Sequence, residues 1–258
     1  MSLLLCDKLT LMYKLILTLS IFLSFGCTVK PDDLSSDTSS TEILRLAEQA
    51  KSRKKFKEAG EFYMEVDRLY PYSDEAREAL IQAMKAYHDG SDLTNARLSA
   101  RRYLALYSSG PEAPFARYMV GLSFFDAIVD VQRDQGAALH AVREFQKLDR
   151  DYPRNQYSKL AIEKTRIAYS QLAGQEMSVG RYYMKREDYL AAINRFTIVI
   201  NKYSNTIFDV EALYRLTESY IAIGMFSTAI ENNSLLRKKY PKSKWSLKSE
   251  KLVSSVSQ

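Results

Sequence analysis

Residues 141–153 run AVREFQKLDRDYP, and their spacing sets the ruler for the whole chain. Ala141 opens the stretch, Phe145 stands four places on, and Tyr152-Pro153 closes it. The same twelve-residue step from alanine to proline recurs at Ala59 with Tyr70-Pro71 and at Ala229 with Tyr240-Pro241. A fourth copy runs from Ala192 to Tyr203-Ser204, and a fifth, weaker one has Ala96 and Ser108. The position four after the alanine holds Tyr63, Ala100, Phe145, Phe196 and Asn233. Twelve residues before Ala192 stands Gly180, followed by Tyr183, and the equivalent tyrosines ahead of Ala96 and Ala229 are Tyr87 and Tyr220. Successive alanines are 37, 45, 51 and 37 residues apart. A period of this size marks an array of stacked supersecondary units.

Each residue type has a physical role at its place. An alanine lets two helix backbones approach closely, and an aromatic residue four places on lies on the same helix face and fills the gap between helices. Proline closes the second helix because it lacks the N–H and clashes with the turn before it. The pattern resembles the tetratricopeptide repeat, with a small residue then Tyr on the first helix and Ala then an aromatic on the second. It implies an all-α superhelical solenoid of about five helix pairs, more than the three or so needed for a continuous core. The third copy carries about eight extra residues between Gly121 and Ala141, and Leu160 to Met177 is expected to extend a helix and join two halves.

Composition agrees. Nine glycines and six prolines in 258 residues are about half the usual ~12%, against a many-turned β architecture. The net charge of +6 is spread over interleaved cations and 31 acids, with no block of five like charges, so nucleic acid is not the expected partner.

The N-terminus reads as an address. Lys14 precedes an apolar run from Leu15 to Phe25, too short to span a membrane and of signal-peptide length. Met12 is a plausible start, which would leave Cys6 outside the protein made. The run ends Ser24-Phe25-Gly26-Cys27, similar to a bacterial lipobox, although Leu23 sits one place earlier than the usual leucine. Cys27 is the expected lipidation site, the alternative being an ordinary signal with a chance cysteine. The expected divisions are a leader over 1–26, a lipidated and flexible tether over 27–40 with Leu34 unpacked, an N-terminal half over 41–157 and a C-terminal half over 158–258. Ser39 and Glu42 have capping-box spacing, so the first helix is expected there.

No catalytic constellation stands out. Cys6 and Cys27 are the only cysteines, which excludes a disulfide framework and a thiolate zinc site. His88 and His140 stand far apart, and no phosphate loop or nucleophile elbow occurs. The expectation is a protein that binds polypeptides, with no enzyme activity, metal or cofactor. By repeat register, Leu44, Lys51, Ile81, Lys85 and His88 should face a groove lined by first helices, extended by Tyr118, Leu122 and Phe125. Such a mixture suits a peptide with apolar side chains and a carboxylate. The competing reading has Tyr118 and Phe125 packing against the next repeat.

Several segments go beyond the generic repeat. Tyr118-Met119-Val120-Gly121-Leu122, the run from Asp130 to Arg150, the Tyr-Pro-Arg-Asn-Gln-Tyr that ends at Tyr157, and Tyr182-Tyr183 with Asn194-Arg195 all resemble the BamD family of outer-membrane β-barrel assembly lipoproteins, also called ComL or YfiO. The resemblance runs from about Thr41 to Val253. It implies a lipid-anchored scaffold on the periplasmic face of the outer membrane that binds BamA and other Bam subunits and helps insert unfolded β-barrel precursors. It also implies that Asn194 and Arg195 mark the BamA contact, where an arginine fork suits a carboxylate. A surface arginine in an i,i+4 helix pair is the alternative for Arg195. Another periplasmic repeat lipoprotein, a pilotin or an envelope-division coordinator, is the alternative for the whole.

Overall fold

The computed structural model describes residues 29–130 and 135–256. Cys6, Cys27 and the leader lie outside the described residues. The chain forms eleven α-helices among the described residues: α1 (Ser40–Ser52), α2 (Phe56–Leu69), α3 (Asp74–Asp89), α4 (Leu93–Leu106), α5 (Ala113–Phe125), α6 (Gly136–Asp151), α7 (Gln156–Lys185), α8 (Tyr189–Lys202), α9 (Asp209–Ala222), α10 (Phe226–Lys239) and α11 (Lys244–Ser254). Each helix packs against its neighbours in sequence. The result is five antiparallel pairs closed by α11, the tetratricopeptide solenoid that the alanine spacing implies.

The alanine ruler fixes the second helix of every pair. Four of these helices, α2, α4, α8 and α10, begin three residues before their alanine, and all five end ten residues after it. Ala59, Ala96, Ala141, Ala192 and Ala229 are all fully buried, as backbones in close approach require. The residues four places on are buried too. On the first helix, Gly121 faces Phe145 and Gly180 faces Phe196, while Ala47 and Met84, twelve residues before their alanines, are buried in the same clusters as Tyr63 and Ala100. A Cβ on Gly121 or Gly180 would lie 2.5 Å from the Phe145 or Phe196 ring, so hydrogen is the only side chain the ring admits. Each fully buried large side chain stabilises the fold by ~1.5–3 kcal/mol relative to exposure.

Proline does not by itself end the second helices. Those of the two proline-free copies stop at Leu106 and Lys202, at the same offset as the others. The residue common to all five ends is a tyrosine: Tyr70, Tyr107, Tyr152, Tyr203 and Tyr240 each occupy the C-cap and donate a backbone N–H to the preceding turn. Three of their hydroxyls reach back to the start of the same pair. Tyr70 donates to the Thr38 carbonyl at 2.6 Å, Tyr152 to the Ser108 carbonyl at 3.0 Å, and Tyr240 to the buried Asp209 carboxylate. Proline follows as a residue that cannot resume the helix.

The turns repeat as well. A residue with positive φ stands five places before the alanine in four pairs: Lys54, Ser91, Glu187 and Gly224. Tyr72, Arg154 and Asn205 take the same conformation after the tyrosine. Of these seven, Gly224 is the one glycine. Asp92 and Asp188 then cap α4 and α8 by accepting backbone N–H groups.

The start of α1 matches the sequence, with the Ser39 hydroxyl accepting the Glu42 N–H at 3.2 Å. The Glu42 carboxylate turns to Arg45 instead of closing the box. The expected slack tether is corrected from Pro31 onward. Residues Pro31–Asp33 form a turn of 3₁₀ helix, and Leu34 is 8% exposed against the cluster built by α1, α2 and α3. This side chain joins the cluster that holds Ile43, Phe62 and Val66, so the segment ahead of α1 packs on the first pair.

Candidate functional site

The first helices of successive pairs, α1, α3, α5 and α7, touch one another through side chains and so make one continuous face. From α1, the Lys51 ammonium donates to Gln82 Oε1 on α3 at 3.2 Å, and Gln82 donates to Glu78 at 2.8 Å. From α3, Lys85 lies 5.2 Å from the centre of the Phe115 ring on α5. His88 Nε2 is 2.7 Å from Asp126, the C-cap of α5. From α5, Phe115 and Tyr118 pack on Tyr157 of α7 at 5.2 and 5.6 Å between ring centres, and Lys164 of α7 stands 4.8 Å over Phe125. The face carries the alternation of rings, aliphatics and cations expected for a polypeptide groove.

The eight predicted groove residues divide by burial. Lys51, Lys85, His88, Leu44, Leu122 and Phe125 keep exposed surface. Ile81 and Tyr118 do not line the surface: they are 6% and 9% exposed and belong to the core beneath it. Tyr118 packs between Phe145 and Tyr157, and burial holds its hydroxyl above the usual tyrosine range. Phe125 does both things, with one side on Phe145 and the other under Lys164. Sequence reasoning missed Gln82, Phe115, Asp126 and Lys164. Phe115 was visible in principle, because it lies one turn ahead of Tyr118 on the same helix face.

In the C-terminal half, the Asn194-Arg195 pair sits mid-way along α8. Asn194 is exposed. Arg195 Nη1 pairs with Glu176 Oε2 of α7 at 3.2 Å, so its partner lies across the helix pair and not four residues along its own helix. Beside it, Arg181 of α7 reaches Glu211 of α9 at 3.2 Å, and Arg215 joins Glu211 and Glu218 at 3.3 and 2.6 Å. Burial of Arg215 works against its charge, but the two carboxylates outweigh it and raise its pKa. These pairs tie α7, α8 and α9 together while leaving the Arg195 side chain 40% exposed.

Among the described residues no three His, Cys, Asp or Glu side chains converge as a metal site, and no helix is long and apolar enough to cross a membrane. The Cys27 assignment falls outside the described residues.

Comparison with known proteins places this geometry. The chain is 35% identical to the outer membrane protein assembly factor BamD of Caulobacter vibrioides, over 78% of this chain and 66% of that protein. It is 30% identical to the BamD of Rickettsia prowazekii, over 92% of this chain and 94% of the relative. With the BamD of Neisseria meningitidis it shares 28% identity over 90% and 93% of the two chains. The sequence profile of the YfiO outer membrane lipoproteins matches residues 36–236, from the packed segment ahead of α1 to the last turn of α10. A solenoid built on this register, matched over that span, belongs to the YfiO family of outer membrane lipoproteins.

Proposed function

We propose that this chain is a scaffold of the outer-membrane β-barrel assembly machinery and carries out no chemistry of its own. The observation that carries the reading is the match to BamD proteins over nearly the whole chain, on a fold whose first helices form a continuous mixed face. Cys27 bears the lipid, and the solenoid hangs from it on the periplasmic side of the outer membrane. Two or three acyl chains, at ~0.8 kcal/mol per buried CH₂, hold such a protein firmly where a single chain would not. The division near residue 157 separates two tasks. The N-terminal half receives unfolded β-barrel precursors on the face formed by Leu44, Lys51, Lys85, His88, Leu122 and Phe125. The C-terminal half binds BamA, with other Bam subunits completing the assembly.

Arg195 supplies the test for the C-terminal task. A carboxylate of BamA can take the guanidinium in place of, or together with, Glu176. Arg195→Glu should abolish BamA recovery in a pull-down from detergent-solubilised envelopes while the far-UV circular dichroism spectrum stays native. Unchanged recovery would remove the residue from the interface. For the N-terminal task, a peptide with the aromatic C-terminus of a β-barrel should cross-link to a photoprobe at Lys85. Cross-links confined to α8–α11 would contradict the assignment.

A further inference from the structure

The positive charge of this protein is concentrated at one end. Residues 237–251 hold Arg237, Lys238, Lys239, Lys242, Lys244, Lys248 and Lys251 against Glu250 alone. That is an excess of six positive charges in fifteen residues, equal to the formal +6 of the entire chain. The rest of the sequence is therefore balanced.

Helix energetics account for only part of this end. Arg237, Lys238 and Lys239 sit in the last turn of α10, where cations complement the helix dipole. Lys244, however, is the first residue of α11, where the dipole disfavours a cation, and no acid stands in that turn. Ion pairing removes two of the seven: Arg237 with Glu250 at 2.9 Å, and Lys239 with the buried Asp209. The other five have no carboxylate partner among the described residues, and all five are lysines.

The surroundings are those of an interface. Lys244, Lys248 and Lys251 follow a one-face spacing on α11, and Leu247, 59% exposed, stands between them. The side chain of the sole tryptophan, Trp245, packs on Tyr214 at 5.0 Å and has the Lys248, Lys244 and Arg215 charges at 5.0, 5.3 and 5.4 Å from its ring. The arginines nearby are committed to carboxylates, Arg215 to two of them. What remains free is a set of point charges on flexible stems around an amphipathic ring. Arginine forks suit fixed carboxylates, whereas mobile lysines with an interfacial tryptophan suit a fluid array of phosphates.

We propose that the α11 end of the solenoid, the end opposite α1, docks on anionic phospholipid headgroups. The proposal needs only the outer-membrane association of the family and is independent of the BamA and precursor assignments. Each lysine near an anionic surface adds about fivefold to membrane affinity.

The test uses the chain from residue 27 with Cys27→Ser, so that no acyl group contributes; every described helix is retained. Vesicles of phosphatidylcholine alone are compared with vesicles containing phosphatidylglycerol, and Trp245 fluorescence is read with brominated phosphatidylglycerol as quencher. Binding and quenching should occur only with phosphatidylglycerol and vanish in about 1 M salt, where the screening length falls to ~3 Å. Replacing Lys244, Lys248 and Lys251 together by Gln should weaken binding about a hundredfold with an unchanged thermal midpoint. Equal behaviour with both vesicle types, or a triple variant that binds like the parent, overturns the proposal. So does a polyglutamate peptide that shifts Trp245 emission when phosphatidylglycerol vesicles do not, which would assign the end to an acidic protein.

Discussion

Exchanging the two halves of one packing pair tests the account of the core directly. In the fourth pair Phe196 is fully buried, and its ring stands where a Gly180 Cβ would be, 2.5 Å from the ring carbon. In the second pair the same two positions hold Met84 and Ala100, both fully buried. The large side chain has moved from one helix to the other. Phe196→Ala alone should cost ~3–5 kcal/mol, because it removes a ring and leaves a cavity. Gly180→Met alone forces a side chain into that ring. Overpacking at ~1–3 kcal/mol is offset by about 1 kcal/mol of helix propensity, for a net loss of roughly 0–2 kcal/mol. Additive effects would put the double variant ~3–7 kcal/mol below the parent. If the pair is one volume shared between helices, the double variant falls only ~1–2 kcal/mol below it, a coupling of about 3 kcal/mol. Urea titrations followed at 222 nm on the four proteins give the cycle. A double variant as unstable as the sum of the singles refutes the shared-volume account.

Two further predictions concern the backbone and the buried hydroxyls. Lys54 has φ of 59° where Gly224 has 78° at the equivalent turn, so Lys54→Gly should raise stability by ~0.5–1 kcal/mol. The converse Gly224→Ala should cost ~1–2 kcal/mol although its Cβ would meet nothing within 4 Å, and urea midpoints that move the other way would exclude backbone strain as the cause. Burial, and then a hydrogen bond to Glu218, pushes the Tyr214 hydroxyl up to about 12 from the ordinary 10.0. Burial likewise raises Tyr63 and Tyr87. A raised folded pKa on a group that is neutral when protonated gives stability that is complete below pH 10 and is lost as pH rises toward 12. Helix content should therefore collapse in that window together with the main rise in tyrosinate absorbance. Complete ionisation with the helices intact would contradict this.

The array was legible because its small residues sit where two backbones meet, and that constraint acts on residue type at a fixed interval. Ala59, Ala141, Ala192 and Ala229 announce it whatever surrounds them. The turns were not legible. The left-handed positions at Lys54 and Glu187 hold residues that carry no turn signal, and the tertiary contacts of each pair override local preference there. The tyrosine cap was visible as a companion of proline in three copies, but Tyr107 lacked that flag and went unremarked. The packing of Leu34 was hidden for a different reason: its polar neighbours describe the segment, while its burial depends on contacts with α1, α2 and α3 that lie beyond the local sequence. Groove residues fared least well. Repeat register places a residue on the inner side of a helix but does not fix its depth, and Ile81 and Tyr118 lie below the surface that Lys85 and Phe115 form.

The thirty-residue helix α7 contributes its first turns to the packing on α6 and its last to the pair with α8. It contains no proline and runs without a break for about 45 Å. A rod of that kind transmits torque and thrust with little slack. Anything gripped at its two ends would be held at a set interval, and a pull on one would be felt at the other as displacement instead of being absorbed by a bending joint.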